Sequence, residues 1–273
     1  MLKSMDSGVS ALDQFQQQLN VIGNNIANVQ TVGFKSADVQ FADALSQTLG
    51  SNAAGTMQVG TGVMTSGITN DFTQGSITNT GVQSNMAING NGFFLVKDAS
   101  SGQTYATRDG QFTVTPDGYL ETSSGMRVQG YTDAGHAAIG DIQITNANAP
   151  DGDTSAVQSY TFDSSGNVNI LLADGTQYTD GQILLQNFTS PGQLLKVGSN
   201  LYSGLANAGP LTAAVAPGTN GVGSLATGSL EMSNVDLAVQ LTSLITTQRA
   251  YEANTKVITT SDDILQDLVN LKR

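Results

Sequence analysis

Two segments at opposite ends of the chain carry apolar side chains at helical spacing. Near the start these positions are Leu2, Met5, Val9, Leu12, Leu19, Ile22, Ile26 and Val29. Near the end they are Leu237, Leu241, Leu244, Tyr251, Ile258, Leu265 and Val269. The spacing predicts two amphipathic helices, over residues 4–29 and 233–272, each with an apolar stripe that needs a partner helix. We therefore expect the terminal helices to pair as a coiled coil, with each other and with copies of themselves in an assembly.

The predicted closing helix has two further features. Ser233 or Asn234 is expected to cap it, with Asp236 in the first turn, where the helix dipole favours a negative charge. Polar residues occupy three positions of its apolar seam, and at such positions they lower stability but specify the register of pairing. These seam residues are Gln248, Thr255 and Asp262.

Between the two helices the period of the pattern changes to two, which predicts strands. Candidate strands are residues 92–96, 105–108, 111–114, 119–122, 126–131, 160–162, 168–172 and 183–188. Asp109-Gly110 and Asp117-Gly118 are expected to form hairpin turns, because glycine adopts positive φ at little cost. The predicted fold class is therefore α+β: a helical foot of paired terminal helices and a central antiparallel β-domain with a small β insertion.

The pattern divides the chain into five parts. A second apolar pattern over 35–49 is interpreted as a short helix or an extended arm, and residues 50–70 as an extended connector rich in glycine and small polar residues. The predicted parts are an N-terminal arm (1–71), a first β-part (72–145), a small β insertion (146–181), a β return with a connector (182–228) and a C-terminal arm (229–273). Because residues 146–181 lie between strands of one domain, we expect their deletion to be tolerated.

Composition excludes several classes of partner. The net charge of −12, with only 10 basic residues among 273, makes binding to nucleic acid or to an anionic membrane surface unfavourable. The chain contains no cysteine, so no disulfide stabilises it. No apolar run is long enough to span a bilayer, and the N-terminus has no continuous apolar segment of the kind that a cleaved signal peptide needs.

The sequence offers no convincing catalytic, cofactor or metal site. Gly90-Asn91-Gly92 is followed by a strand pattern and is interpreted as a tight turn, not as part of a dinucleotide loop. Asp151-Gly152-Asp153 lacks the later ligands of a calcium loop. His136 is the single histidine, and without cysteine a zinc site or a catalytic triad has too few members. A pair of carboxylates for glycoside chemistry remains open, although the 22 acidic residues are scattered.

Two segments resemble the terminal signatures of the bacterial flagellar axial proteins, a family of rod, hook and hook-associated subunits. Residues 24–35 read NNIANVQTVGFK and are similar to the N-terminal signature. Residues 233–236 and 248–256 read SNVD and QRAYEANTK and are similar to the C-terminal one. The resemblance covers residues 1–145 and 181–273. Segments 67–81, 86–94 and 230–237 are most similar to hook subunits, whereas the short middle of this chain is closer in length to a rod protein.

The resemblance implies a structural function. We predict a short-form hook subunit that polymerises into a helical tube and transmits torque from rod to filament, with the distal rod as the alternative. A secreted β-rich enzyme or adhesin is a third, distant class. The implied location is the extracellular flagellum, reached through the flagellar export apparatus without a cleaved signal peptide. The implied partners are copies of the chain itself, distal rod proteins, the hook cap and the hook–filament junction proteins.

The apolar seams and the resemblance together indicate which residues meet neighbouring subunits. For the polar group around Arg249, which the resemblance places between subunits, a solvated helix face is the alternative. On the opening helix and just after it they are Leu12, Leu19, Ile22, Asn24, Asn25, Ile26, Asn28, Gly33 and Phe34. On the closing helix they are Leu237, Leu241, Leu244, Gln248, Arg249, Tyr251, Asn254, Ile258 and Leu265. The asparagine amides are expected to form hydrogen bonds across helices and thereby to set their register.

Overall fold

A computed structural model describes residues 2–52, 55–133, 135–136, 138–146, 148–149, 155–211 and 213–271. The chain forms two compact units. The first, called the helical unit, comprises residues 1–29, 36–71 and 235–273. The second, called the sheet unit, comprises residues 30–35 and 72–234.

The helical unit contains both long helices. These are α1 (Leu2–Ala27) and α2 (Leu237–Leu271), so the two terminal helices predicted from periodicity are confirmed. The predicted cap of α2 is wrong. Asp236 occupies the N-cap position instead, where its carboxylate accepts hydrogen bonds from the backbone N–H groups of Ala238 and Val239 at 2.8 and 3.2 Å. Neither of the two helices in the described part of the chain combines the length and the apolar content that crossing a membrane requires.

The segment that follows α1 forms a long β-hairpin, not the short helix, extended arm or connector expected over residues 35–70. Its strands are β1 (Ala37–Asp43), β2 (Gln47–Asn52), β3 (Gly55–Val59) and β4 (Val63–Asn70). β1 pairs with β4, and β2 pairs with β3, in antiparallel register. β1 and its partner β4 are separated in sequence by β2 and β3, so the local periodicity of either strand did not indicate their pairing.

The helices α1 and α2 pack against each other within the helical unit. A Cβ atom added at Gly8 would lie 3.2 Å from Cγ1 of Ile258, so the two helices approach closely there. The face of α2 that is covered includes Thr247 and Ser261, which are buried, together with half-buried Asn254. Of the predicted seam, Leu244, Ile258 and Leu265 are half-buried on this side, whereas Leu237, Leu241, Tyr251 and Val269 are exposed. A coiled-coil seam is therefore not confirmed.

The sheet unit is built from short strands. They are β5 (Ile77–Asn79), β6 (Met86–Asn89), β7 (Phe93–Asp98), β8 (Thr104–Thr107), β9 (Phe112–Val114), β10 (Leu120–Thr122), β11 (Met126–Tyr131), β12 (Ile139–Asp141), β13 (Val157–Phe162), β14 (Asn167–Leu172), β15 (Gln177–Ile183), β16 (Leu185–Gln186), β17 (Leu195–Gly198), β18 (Leu201–Ser203), β19 (Ser224–Thr227) and β20 (Ser229–Glu231). A short 3-10 helix lies at Pro191–Gln193.

Most of these strands belong to one antiparallel sheet. Its main path among the described residues runs β13-β14-β15-β11-β7-β8-β18-β17, with β9, β10, β12 and β16 attached beside it. β19 pairs with β6, and β20 pairs with β5, so the last strands of the unit complete two small ribbons with its first strands. The large antiparallel β-domain predicted from the sequence is confirmed.

One core extends through most of the sheet unit. It contains buried side chains from β6, β7, β9, β11 and β19, including Met86, Ile88, Phe94 and Leu225. Phe162, Val168, Ile170 and Leu172 from β13 and β14 are buried in the same core. The described part of the predicted insertion, residues 155–181, therefore contributes strands to the main sheet and side chains to its core. From this placement we now expect that its deletion would disturb folding.

One of the two predicted hairpin turns is wrong. Asp117-Gly118 connects β9 to β10, which pair as expected, and Gly118 has φ +85°. Asp109-Gly110 does not close a hairpin, because β8 pairs with β7 and β18 while β9 pairs with β10. Gly110 is needed for a different reason: a Cβ atom there would lie 1.5 Å from the carbonyl oxygen of Met86. At this position the Asp-Gly pair therefore allows the backbone at Gly110 to lie close to that of Met86, and it does not form a hairpin turn.

Candidate assembly surface

The helical unit has almost no apolar core of its own. Among its described side chains, Ile22 and Ala37 are the apolar ones that are less than a tenth exposed. The same unit carries most of the large apolar side chains that the described part of the chain leaves exposed. A single exposed leucine is ordinary. Many exposed apolar side chains on a unit with so small a core indicate a surface that other subunits cover in an assembly.

The exposed apolar side chains of α2 lie on both sides of the face that α1 covers. At 100° per residue, Val239, Val257 and Ile264 form one flank, which is between 44% and 56% exposed. Leu237 and Leu241 lie on the opposite flank and are 44% and 45% exposed. A helix that is apolar on three sides is normally surrounded by other helices.

The long hairpin also has one covered face and one exposed face. On the covered face, the Thr65 hydroxyl contacts the side chains of Gln14 and Gln17 in α1, and the Phe41 ring packs edge-on against Phe15 at 6.2 Å. On β4, positions adjacent to Thr65 point the other way. They include Met64, which is 51% exposed. Ile68 lies beyond a β-bulge in the pairing of β1 with β4 and is 53% exposed. The hairpin thus adds a second uncovered apolar surface to the helical unit.

The residues predicted to meet neighbouring subunits fall into three groups in the structure. Those on exposed positions are Asn24, Leu237, Leu241, Gln248, Arg249 and Tyr251. Those half-buried within the helical unit are Leu12, Leu19, Ile26, Asn28, Leu244, Asn254, Ile258 and Leu265. Those buried are Ile22, Asn25, Gly33 and Phe34. That these residues contact neighbouring subunits remains a prediction. The exposed group is the one whose side chains are most accessible to a neighbour.

Asn25 is used inside the helical unit. Its side-chain amide donates to the carbonyl oxygen of Ala37 at 2.9 Å and accepts from the Ala37 N–H at 3.1 Å. The same amide donates to the side chain of Gln240 in α2 at 3.3 Å. Asn25 therefore ties α1 to both β1 and α2, as the expected hydrogen bond across helices requires. The Asn28 amide instead donates to Asn24 within α1.

The polar group around Arg249 is largely occupied within α2. Arg249 forms an ion pair with Glu252 at 2.9 Å, with both side chains more than 60% exposed. Asn254 donates to the carbonyl oxygen of Ala250, one turn earlier. An exposed pair of this kind contributes little to stability by itself. Its charges and those of Lys256 instead mark a solvated side of α2, between the two apolar flanks.

A cluster of buried charges lies in the sheet unit. Oε1 of Glu231 is 2.6 Å from Nζ of Lys35, and Oε2 is 3.1 Å from a terminal nitrogen of Arg108. The side chains of Lys35 and Glu231 are fully buried, and that of Arg108 is 3% exposed. Glu231 also accepts the backbone N–H of Gly75 at 2.9 Å. Such a cluster is strongly destabilised when one partner is removed, because an uncompensated buried charge remains.

The end of the N-terminal motif is built around this cluster. Gly33 has φ +67° and donates its backbone N–H to the carbonyl oxygen of Glu231 at 2.8 Å. A Cβ atom at Gly33 would lie 2.7 Å from the backbone nitrogen of Asp109, so glycine is required for this approach. Phe34 is buried, with the ammonium group of Lys196 4.6 Å from its ring centre. Gly33 and Phe34 therefore serve the fold of the sheet unit.

Tyr202, close to the charge cluster, predicts a pH dependence of folding. Its side chain is 1% exposed and packs against Phe72 and Phe93 at 5.4 and 5.9 Å between ring centres. Burial raises the pKa of the Tyr202 phenol well above its ordinary value of 10.0. The positive charge of Arg108 opposes this shift, and the negative charge of Glu231 adds to it. The folded state therefore keeps the phenol proton at pH values where the unfolded state releases it.

Above about pH 10 the unfolded state releases the Tyr202 proton and the folded state retains it. We therefore expect the free energy of unfolding to fall by about 1.4 kcal/mol for each further pH unit. The measurement is urea unfolding between pH 9 and pH 11 for the wild type and Tyr202→Phe. All other titrating groups are shared, so the difference between the two proteins isolates Tyr202. Parallel pH profiles would show that Tyr202 does not contribute.

Other candidate chemistry in the sequence has little structural support. The ring of His136 stacks on Tyr131 with 4.7 Å between ring centres, in a loop. Asp151-Gly152-Asp153 lies outside the described residues. Within the described ranges, no three acidic or histidine side chains are grouped so that they could hold a metal ion. Gly90 and Gly92 have φ +115° and +129° between β6 and β7, so the predicted tight turn there is confirmed.

Sequence reasoning missed two sets of important residues. The first is the α2 flank of Val239, Val257 and Ile264, which the choice of a single seam left out. The second is the charge cluster of Lys35, Arg108 and Glu231. Lys35 and Glu231 both lie in the segments that carry the family resemblance, and Glu231 stands between Leu230 and Met232. The signal in the sequence was Glu231 itself, a single charged residue between two apolar ones, which indicates a carboxylate that needs a partner.

Three sequence families match the chain. Residues 5–35 match the family described as "Flagella basal body rod protein". Residues 87–170 match "Flagellar hook protein FlgE/F/G D1 domain", and residues 226–271 match "Flagellar basal body rod FlgEFG protein C-terminal". The first and last matches contain the terminal signatures, and the middle match covers much of the sheet.

Curated proteins are similar over the full length of the chain. The flagellar basal-body rod protein FlgG of Bacillus subtilis is 42% identical over 282 residues, with 100% of both chains covered. FlgG of Caulobacter vibrioides is 38% identical over 284 residues, with 99% of this chain and 98% of the relative covered. The flagellar hook protein FlgE of Borreliella burgdorferi is 26% identical over 444 residues, with 100% of both chains covered. The similarity to the two rod proteins is therefore higher than that to this hook protein.

Proposed function

Because this chain belongs to the family of flagellar rod and hook proteins, we propose that it is a subunit of the distal rod of the bacterial flagellum. The family is a structural component of the basal body, rod and hook, and its members are not enzymes. The proposal of a rod subunit is supported by full-length relatives named as rod proteins. It replaces the hook subunit that the sequence analysis favoured, since the hook relative is less similar and its alignment is much longer.

One observation supports the mechanism most directly: the helical unit exposes apolar surface on both flanks of α2 and on the hairpin, while burying little within itself. Different patches on one subunit can meet complementary patches on the next. Such heterologous contacts continue along the assembly without closing, and they produce a helical polymer. In our proposal the terminal helices of successive subunits pack together as the inner wall of a tube.

The proposed role is mechanical. A rod of packed subunits transmits torque because each subunit is rigid and its contacts with neighbours resist shear. The extensive core of the sheet unit is consistent with a rigid body of this kind. The proposed partners are further copies of the chain, the adjoining rod and hook proteins and the flagellar export apparatus.

We expect the purified protein to form tubular or helical polymers at high concentration, especially in salts that strengthen burial of apolar surface. Sedimentation across a concentration series, followed by negative-stain microscopy of the pellet, would detect them. A protein that stays a compact monomer at every concentration and salt would contradict the proposed assembly.

The position of the subunit can be tested in the organelle. Immunogold labelling of purified hook–basal bodies should place the label on the rod. A label confined to the hook, beyond the end of the rod, would instead support the hook subunit. The two experiments are independent, because a hook subunit would also polymerise.

A further inference from the structure

The buried charge cluster joins parts of the chain that are far apart in sequence. Lys35 precedes the first strand of the sheet unit, Arg108 follows β8, and Glu231 ends β20, the last strand. Lys35 also donates to the carbonyl oxygen of Thr73 at 2.7 Å, and Arg108 to that of Gly90 at 2.9 Å. The two cations are therefore held at the junction of several segments, and the carboxylate that contacts both arrives 196 residues after the first.

The segment that brings Glu231 also completes the apolar core. β19 pairs with buried β6, and β20 pairs with β5. Leu225 and Leu230, which these strands carry, are 4% and 7% exposed. One short stretch, residues 224–231, thus both completes the core and supplies the carboxylate that partly compensates the two cations.

Before that stretch is in place, burial of Lys35 and Arg108 is unfavourable. Glu231 is within ion-pair distance of both and supplies a negative charge against two positive ones. Burial lowers the pKa of the Arg108 guanidinium, and the charge of Glu231 opposes that shift. Nε of Arg108 is buried without a hydrogen-bond partner among the described residues, so the guanidinium depends all the more on the carboxylate. Without Glu231 the cations must either remain hydrated, with the core open, or be buried with less compensation.

We propose that Glu231 is a charge latch for the sheet unit: the core around Lys35 and Arg108 closes only when residues 224–231 dock. The unit then folds as a whole or stays open as a whole, and a chain whose last strands are not docked is kept from closing early. The latch concerns the folding of the sheet unit alone and does not rest on the proposed role in the rod.

The test is hydrogen exchange of the full-length protein, measured by mass spectrometry, for wild type and Glu231→Gln. Exchange reports the opening of each strand separately. A latch predicts that protection falls about 100-fold or more, the loss expected for a broken buried ion pair, in β7 and β11 as well as in β19 and β20. A loss confined to β19 and β20 would overturn the proposal, because Glu231 would then stabilise only these two strands.

Two further variants separate charge from packing. Glu121→Gln removes a carboxylate from a partly exposed ion pair with Arg127 in the same unit, and should leave protection within about twofold of wild type. The triple variant Lys35→Met, Arg108→Met, Glu231→Leu removes all three charges and should restore most of the protection that Glu231→Gln loses. If Glu231→Gln fails to fold, a folded triple variant still supports the latch. A triple variant that is as open as Glu231→Gln would overturn it.

Discussion

Replacing Val257 with Asp should abolish polymerisation of the purified protein while both units remain folded. Val257 is 44% exposed on one apolar flank of α2, so the substitution removes little packing within the subunit. In the assembly the new carboxylate would be buried against a neighbour at a cost of several kcal/mol, which raises the critical concentration about 100-fold or more. Sedimentation across a concentration series measures that value, and circular dichroism of the soluble fraction checks the fold.

The neighbouring residue provides a matched control. Lys256→Gln changes the net charge by the same amount as Val257→Asp, but Lys256 lies on the solvated side of α2 with Arg249 and Glu252. We expect its critical concentration to stay close to that of the wild type. If Val257→Asp also polymerises normally, this flank of α2 faces solvent in the polymer, and the contact must be sought on the opposite flank or on the hairpin.

Deleting residues 155–181 should abolish cooperative unfolding of the sheet unit. The deletion removes β13, β14 and most of β15, together with Phe162, Val168, Ile170 and Leu172, which are buried in the main core. Each of these side chains contributes about 2 kcal/mol by burial, and together they approach the whole stability of a typical domain, about 5–15 kcal/mol. Urea unfolding followed by far-UV circular dichroism would show a broad, shallow change in place of a sigmoidal transition.

A point substitution in the same strands gives a graded version of this test. Ile170→Ala should lower the free energy of unfolding by about 2–5 kcal/mol, because it leaves a cavity in the core. Gln158→Ala, at an exposed position on β13, should change it by less than about 0.5 kcal/mol. A deletion variant that unfolds as sharply as the wild type would restore the original interpretation of a dispensable insertion.

The sequence alone was sufficient for features that depend on neighbouring residues. Both long helices were predicted from the spacing of Leu12, Leu19, Leu244 and Ile258 among others, and their bounds differ from the structure by only a few residues. The strand over 126–131 was predicted to the residue. Periods of 3.6 and 2 are local signals, because they describe which side chains share a face of one element.

The sequence did not determine which face of α2 is covered. Several faces of α2 are apolar enough to pack, and the one that α1 covers contains Thr247 and Ser261, with small residues that permit close approach. A choice among comparable faces depends on the shape and polarity of the partner, which only the packed helical unit supplies.

Long-range pairing was likewise decided by the tertiary structure. β1 pairs with β4 across an intervening hairpin, β13 and β14 extend the main sheet, and Glu231 meets Lys35 across most of the chain. The local pattern of these segments does not predict their partners, because the alternation of side chains indicates which face of a strand is buried and not which strand lies beside it. The sequence therefore determined the two long helices, several strands of the sheet and the family of this protein, whereas the fold decided which apolar surfaces remain uncovered and which charges meet in the buried cluster.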